Sequence, residues 1–395
     1  MQIHFIDSIH QVDAAQWNAL CPPHYPFVRH EFLAALEDSG CTNVNTGWQP
    51  KHLLIMLDGQ VYAGLPGYIK SHSYGEYVFD WSWADAYRRH GRAYYPKWIS
   101  AIPFTPCVGP RVLCGQHAYT PELVHFIAQA LTTLCITEEL SSWHCLFPEP
   151  VQSAHLLSLN IAQRLGCQFH WFNRGYKNFD DFLAQMTSRK RKNIIKERRQ
   201  VLEQGFAFEV KTAATLNTQD WEIFYSLYRN TYLKRSGHGG YLSADFFQQL
   251  GTSLREHLVL INAIRNDEDG MPKVIAASLF LRDNKTLYGR YWGCFEEYQF
   301  LHFETCYYQG IDYAIANHLE HFDGGAQGEH KIARGFEPII TYSNHWIQEP
   351  GFRSAIKQFL QTEAAQIQLY AEQAQQLLPF KSSNANSLTP IESTY

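Results

Sequence analysis

The sequence lacks the long apolar run that a membrane-spanning helix needs. Such a helix takes about 20 apolar residues, and the longest runs here, such as Val274–Leu281, fall far short. It also lacks net positive charge. Its 33 Lys and Arg against 38 Asp and Glu give a formal charge of −5. The surface as a whole is therefore no attractor of polyanions, and contact with nucleic acid or phosphate must come from a local patch. No Cys-x-x-Cys pair occurs among the nine cysteines. Their odd count and apolar surroundings argue against a disulfide framework and fit reduced, buried thiols. The 19 histidines offer no pair at metal-ligand spacing beside a third ligand, His318 and His321 being the nearest approach, so no metal site is predicted. No Gly-x-Ser-x-Gly elbow, Walker loop or dinucleotide fingerprint appears. The opening Met1–Asp7 reads as a strand without the apolar core of a signal peptide. These absences together predict a cytoplasmic protein.

What is present is a globular chain of 395 residues, 45% hydrophobic and 18% charged. That is too long for one small core, so two domains are expected. The boundary falls near Gly166–Trp171, giving domains over 1–166 and 167–380. The Ser- and Asn-rich tail, 381–395, has little to bury and is expected to be disordered. The halves run in parallel outline. Lys51–Leu57 and Val61–Lys70 flank the turn signal Asp58-Gly59, as Leu258–Arg265 and Lys273–Arg282 flank Asn266–Met271. An aromatic strand follows in each, Glu76–Trp83 and Leu287–Gly293, and then a Tyr-Tyr helix around Tyr94–Ala101 and Tyr307–Ala314. Further helices are predicted over Asp13–Leu20, Arg29–Asp38, Pro121–Thr133, Val151–Arg164, Phe179–Gln204, Thr218–Leu233, Ala244–Leu254 and Phe352–Gln376.

The stretch Leu287–Pro338 concentrates polar groups. A strand, an amphipathic helix and a short strand at His321–Asp323 make a crossover unit, whose ligands usually bind beyond the carboxyl ends of the strands. There follows Gly328-Glu-His-Lys-Ile-Ala-Arg-Gly335. Its glycines allow close approach of backbone to a ligand. Glu329 or His330 can accept a proton from an amine, and Lys331 and Arg334 can hold phosphate or an oxyanion. The plain alternative is a loop of internally paired charges.

Seven of the eleven residues from Arg189 to Arg199 are Lys or Arg. Most read as a solvated helix face. Helical periodicity separates Arg191 and Arg198, which fall with Ile194, Ile195, Val201 and Leu202, from Lys192, Lys196 and Arg199 opposite. An inward Arg needs either a protein carboxylate or a ligand anion. Arg290 and Trp292 share a strand with Glu304 on the next helix, a candidate wall for a ligand or a core arrangement. Glu76, Asp80 and Trp83 are the corresponding set in the first half.

Seven motifs carry a resemblance: Pro26-Phe27 with Glu31–Glu37, Gly75–Asp80, Tyr94–Lys97, Pro103–Pro106, Ser188–Lys192, Gly289–Gly293 and Gly325–Lys331. The chain resembles the FemAB-like proteins, a bacterial branch of the GNAT-fold (acyl-CoA N-acyltransferase) superfamily concerned with peptidoglycan biosynthesis or recognition. The resemblance implies an α/β fold of two tandem GNAT-like domains, each a mixed sheet flanked by helices. It implies transfer of an acyl or aminoacyl group to an amine, such as that of a cell-wall precursor, by direct attack. The donor would be acyl-CoA or aminoacyl-tRNA. It associates Arg191 with the substrate phosphate, and Lys331 or Arg334 with the reacting centre. The pyrophosphate loop of acyl-CoA enzymes has no match in either half. A non-catalytic ligand- or RNA-binding protein on the same duplicated fold is the other expectation.

Overall fold

A two-residue hairpin turn needs positive φ at both central residues. Asp58 and Gly59 adopt φ of 50° and 79°, and the strands His52–Leu57 and Gln60–Leu65 pair across them as expected. The structure, a computed structural model, describes residues 1–326 and 328–381. It divides into two units.

The first unit comprises Met1–Cys167 and Ile340–Ala371. Gln2–Ile6 joins the hairpin as a third strand. Five further strands run side by side in one sheet, in the order Trp48–Pro50, Tyr68–Lys70, Lys97–Ser100, Ser142–Leu146 and Glu337–Ile347. Lys97–Ser100 and Ser142–Leu146 are parallel, and the other pairs recorded among these strands are antiparallel. The helix Pro121–Thr137 starts with Pro121 in the first turn and Thr120 accepting from the Leu123 amide. Leu123, Ile127, Leu131 and Leu134 recur at helical spacing and pack into one core with Leu53, Ile55, Trp98 and Trp143. Each such burial contributes about 1.5–3 kcal/mol.

The second unit comprises Gln168–Ile339 and the chain from Glu372. Ala207–Lys211, Leu258–Asn266, Pro272–Arg282 and Thr286–Cys294 form an antiparallel run. His321–Asp323 then lies parallel to Thr286, Leu287 and Tyr288, and antiparallel to Phe172, Trp171 and His170. The expected crossover is therefore formed. Its helix is Gln309–Ala316, entered through a π-helical turn at Glu304–Tyr308. The long strand carries a bulge. Tyr291 faces Leu279 and Gly289 faces Phe280, leaving Arg290 as the extra residue.

Several expectations are corrected. Ile340–Ala371 returns to the first unit because Ser343–Ile347 pairs with Ser142–Leu146; a single division near 166 does not anticipate this. The expected helix at Tyr94–Ala101 contains the strand Lys97–Ser100, all four residues buried, whereas a surface helix buries only one stripe. The expected strand at Glu76–Trp83 gives way to the helix Trp81–Arg89, whose buried Trp83 and Tyr87 lie one turn apart. The predicted helix Val151–Arg164 is Pro150–Ser158, and Ala162–Arg164 opens a strand. Phe179–Gln204 is two helices, Phe179–Ala184 and Ser188–Glu203. The chain leaves the helix between them so that Met186 can bridge to Phe380 and the Thr187 amide can reach the Pro379 carbonyl. Residues 382–395 of the expected tail lie outside the described residues.

Candidate functional site

Beyond the end of His321–Asp323 the chain turns back through a 3-10 helix, Glu329–Arg334. Gly328 and Gly335 bracket it at φ of 108° and 85°, a backbone that L side chains avoid. The turn sends its side chains to different places. Glu329 and His330 are exposed, whereas Lys331 is 1% exposed and Arg334 is buried.

Asp323 organises the interior. It accepts from Arg290 at 2.6 Å and from the Gly325 amide at 2.8 Å, and His170 Nε2 lies 3.4 Å away. Burial alone would raise its pKa. The Arg290 guanidinium, His170 and these hydrogen bonds overcome burial and hold the carboxyl well below the usual range. Lys331 Nζ donates to the Gly325 carbonyl at 2.7 Å and forms no ion pair among the described residues. Burial pushes its pKa down, Asp323 restores part of the loss, Arg290 opposes, and it settles at about 8. His330 Nε2 lies 2.9 Å from the Tyr307 hydroxyl. Burial, Arg334 and Lys331 push its pKa to about 4, so its imidazole is neutral at pH 7.

The basic helix Ser188–Glu203 meets the same turn. Glu197 accepts from Arg334 at 2.7 Å and from the Tyr308 hydroxyl. Arg334 also donates to the His330 carbonyl and lies over the Phe303 ring, 3.5 Å from its centroid. Of the two alternatives for an inward arginine, Arg198 takes the protein carboxylate. It pairs with Glu304 at 2.9 Å and Asp312 at 2.7 Å over the Phe179 ring. Burial raises the pKa of Glu304, and Arg198 partly offsets this. Arg191 is half-buried and its guanidinium has no partner among the described residues. Ile194 and Val201 are buried as the periodicity requires; Ile195 and Leu202 are exposed, so the inward face is narrower than expected. Trp292 packs edge-on against His302, while Arg290 engages Asp323. The two serve separate contacts rather than one wall.

In the first unit Glu76 and Asp80 are both buried against Lys97, which also donates to Ser73. One lysine can neutralise one carboxylate. Burial would lower the Lys97 pKa, but Asp80 and Glu76 raise it above the usual range. Asp80, with Lys97, Ser73 and Tyr94, overcomes burial and stays ionised. Burial dominates at Glu76 and lifts its pKa to about 7. Trp83 packs edge-on to His345, which hydrogen-bonds His144. Lys70 sits over the Trp48 ring, and burial lowers its pKa to about 6.

Sequence reasoning singled out Glu76, Asp80, Arg290 and Lys331 but not the groups that complete their networks: Lys97, Ser73, Asp323, His170 and Tyr307. Lys97 had a signal, a cation opening the apolar Trp98-Ile99. Asp323 had one too, a carboxylate closing a short strand before Gly-Gly. His170 had none. Among the described residues no group of three or more His, Cys, Asp or Glu is placed to hold a metal ion, and no helix is long and apolar enough to cross a membrane.

Two solved structures share this fold. FemX matches with a TM-score of 0.53 at 11% identity, over 90% of this chain and 100% of its own. The C-terminal domain of a putative lysylphosphatidylglycerol synthetase from Agrobacterium fabrum also matches with a TM-score of 0.53, at 10% identity, over 88% and 96%. A tandem GNAT protein from the clavulanic acid biosynthesis pathway matches at 0.46 and 8% identity, over 88% and 99%. No curated protein matches by sequence. The fold is mixed α/β, as expected, and is shared with FemX. A family model described as peptidoglycan biosynthesis/recognition matches residues 8–382, and the chain belongs to this FemAB-like family.

Proposed function

We propose that this chain is an N-acyltransferase or aminoacyltransferase that forms an amide bond on an amine-bearing acceptor, with a cell-wall-precursor peptide as the acceptor class. One observation carries the reading. Lys331 is buried just past the parallel strand pair, hydrogen-bonded to a carbonyl, while the carboxylate nearest in its network is committed to Arg290. Its positive charge is therefore available to another anion. A developing oxyanion is such a group, and a donor fixed in a dry site is worth far more than one in water.

The acceptor nitrogen attacks the donor carbonyl directly. The C–N bond forms as the carbonyl electron pair moves to oxygen, which Lys331 stabilises. Collapse expels the donor's oxygen or sulfur leaving group and restores the carbonyl. The amine proton passes to Glu329 or His330, the exposed acceptors of the same turn. His330 is a weak base in this setting, given its depressed pKa. Arg191 binds a phosphate of the substrate. Arg198, Arg290 and Arg334 hold the site's shape through Glu304, Asp323 and Glu197. The family description supports the acceptor class. The exposed Lys192, Lys196 and Arg199 suit an RNA backbone, which favours aminoacyl-tRNA as donor over acyl-CoA.

The test is amide formation on a precursor pentapeptide with aminoacyl-tRNA and acyl-CoA panels, comparing wild type with Lys331→Met. Transfer with one donor class, lost in the variant, is expected. Affinity for donor and acceptor with no transfer in any arm would leave a non-catalytic binding protein instead.

A further inference from the structure

Several arginines of the second unit are matched to carboxylates: Arg174 with Glu337, Arg198 with Glu304 and Asp312, Arg290 with Asp323, Arg334 with Glu197. Two others differ. Arg255 donates to the Ala213 and Leu216 carbonyls. Arg282 donates to the Asp283 carbonyl, the Tyr313 hydroxyl and the Asn317 amide oxygen. Neither forms an ion pair among the described residues. Asp283, the acid next in sequence to Arg282, spends its carboxylate on the Lys285 and Thr286 amides and the Tyr288 hydroxyl.

Both arginines line one cavity of about 680 Å³, with Thr212, Tyr313 and Asn317 beside them. That volume lies within the roughly 300–1,000 Å³ of small-molecule sites. It opens where Pro272–Arg282 ends and Leu258–Asn266 begins. The Lys331 group gathers beyond His321–Asp323, toward the other end of the parallel pair. Glu256 also lines the cavity, yet it pairs with neither arginine. The neutral hydrogen bonds fix both guanidinium groups in place without cancelling their charge. Preorganised, uncompensated guanidinium forks suit a phosphate or carboxylate, and the Tyr313 ring and Leu258 supply an apolar wall.

We propose that this cavity is a second ligand site, separate from the Lys331 site, for a small anionic molecule held by Arg255 and Arg282 through a phosphate or carboxylate. The site does not depend on the transferase reading. The test uses the full chain with inorganic pyrophosphate and citrate as separate probes, each titrated by calorimetry. Backbone hydrogen exchange is followed in parallel, since it needs no variant. Saturable binding of one probe is expected, with slowed exchange at residues 212–216 and 255–258. The probe that binds assigns phosphate or carboxylate. Arg255→Gln and Arg282→Gln should each weaken binding about tenfold, as the loss of one charged hydrogen bond implies. The exposed Arg88→Gln in the first unit should leave it unchanged. Tyr313→Phe, which keeps both charges, should weaken it only a few-fold and guards against misfolding of the arginine variants. Failure of both probes to bind, protection confined to other segments, or an equal loss in Arg88→Gln would overturn the proposal.

Discussion

Lys97 of the first unit and Lys331 of the second are both buried within polar networks, and the two are held in opposite ways. Lys97 lies among Ser73, Glu76 and Asp80, and its pKa rises. Lys331 is equally buried but, among the described residues, hydrogen-bonds only the Gly325 carbonyl, because Asp323 is spoken for by Arg290, and its pKa falls to about 8. Burial penalises both ammonium groups alike. What separates them is whether a carboxylate is left over to answer the charge. Lys97 is answered by its own carboxylates; Lys331 has none among the described residues, which is what its proposed role requires.

The largest effect should come from Lys97→Met. It strands Asp80 and Glu76 in the core, a loss of about 3–5 kcal/mol when one partner of a buried pair is removed. Denaturant unfolding should show it, if the variant remains soluble. Lys331→Met leaves no buried carboxylate unanswered and should shift stability by no more than about 1 kcal/mol, while lowering transfer by roughly 10²–10³-fold. Equal destabilisation by the two substitutions would erase the distinction between the lysines.

A middle-sized effect concerns Glu76. Its folded pKa is raised above the unfolded value to about 7. Its contribution is therefore full below the unfolded pKa and is lost as pH rises through about 7. Lys70, with a folded pKa lowered to about 6, contributes with the opposite sign, and its part is lost as pH falls through about 6. Glu76→Gln should remove the first dependence, so that its stability relative to wild type improves between pH 5 and pH 8 by on the order of 2 kcal/mol. Urea unfolding at the two pH values measures this, and an unchanged difference would place the proton elsewhere. The smallest effect is expected at Arg88, exposed and paired with exposed Asp85. Arg88→Gln should change the unfolding free energy by less than about 0.5 kcal/mol.

The sequence disclosed the elements that local rules govern. The Asp58-Gly59 hairpin, the crossover ending at His321–Asp323 and the glycine-bounded turn are all written in short-range chemistry. It concealed what distant pairing decides. The strand at Lys97–Ser100 is all-buried because Tyr68–Lys70 and Ser142–Leu146 flank it. The break at Met186 exists because Phe380 pairs there. The same limit applied to the site. Arg198 and Arg191 fall on one predicted face, yet Glu304 and Asp312, more than a hundred positions away, neutralise only Arg198. Periodicity picks out the inward cations; only the fold says which of them is already answered.

The comparison rests on the Lys331 ammonium having no carboxylate of its own. Its titration can be followed directly by the ¹³Cε resonance of labelled lysine, assigned through Lys331→Arg. A midpoint near 8, well below that of exposed lysines, is the expected result. A midpoint at or above the ordinary lysine value of about 10.4 would mean that a carboxylate holds Lys331 as firmly as Lys97 is held, and the two lysines would no longer differ.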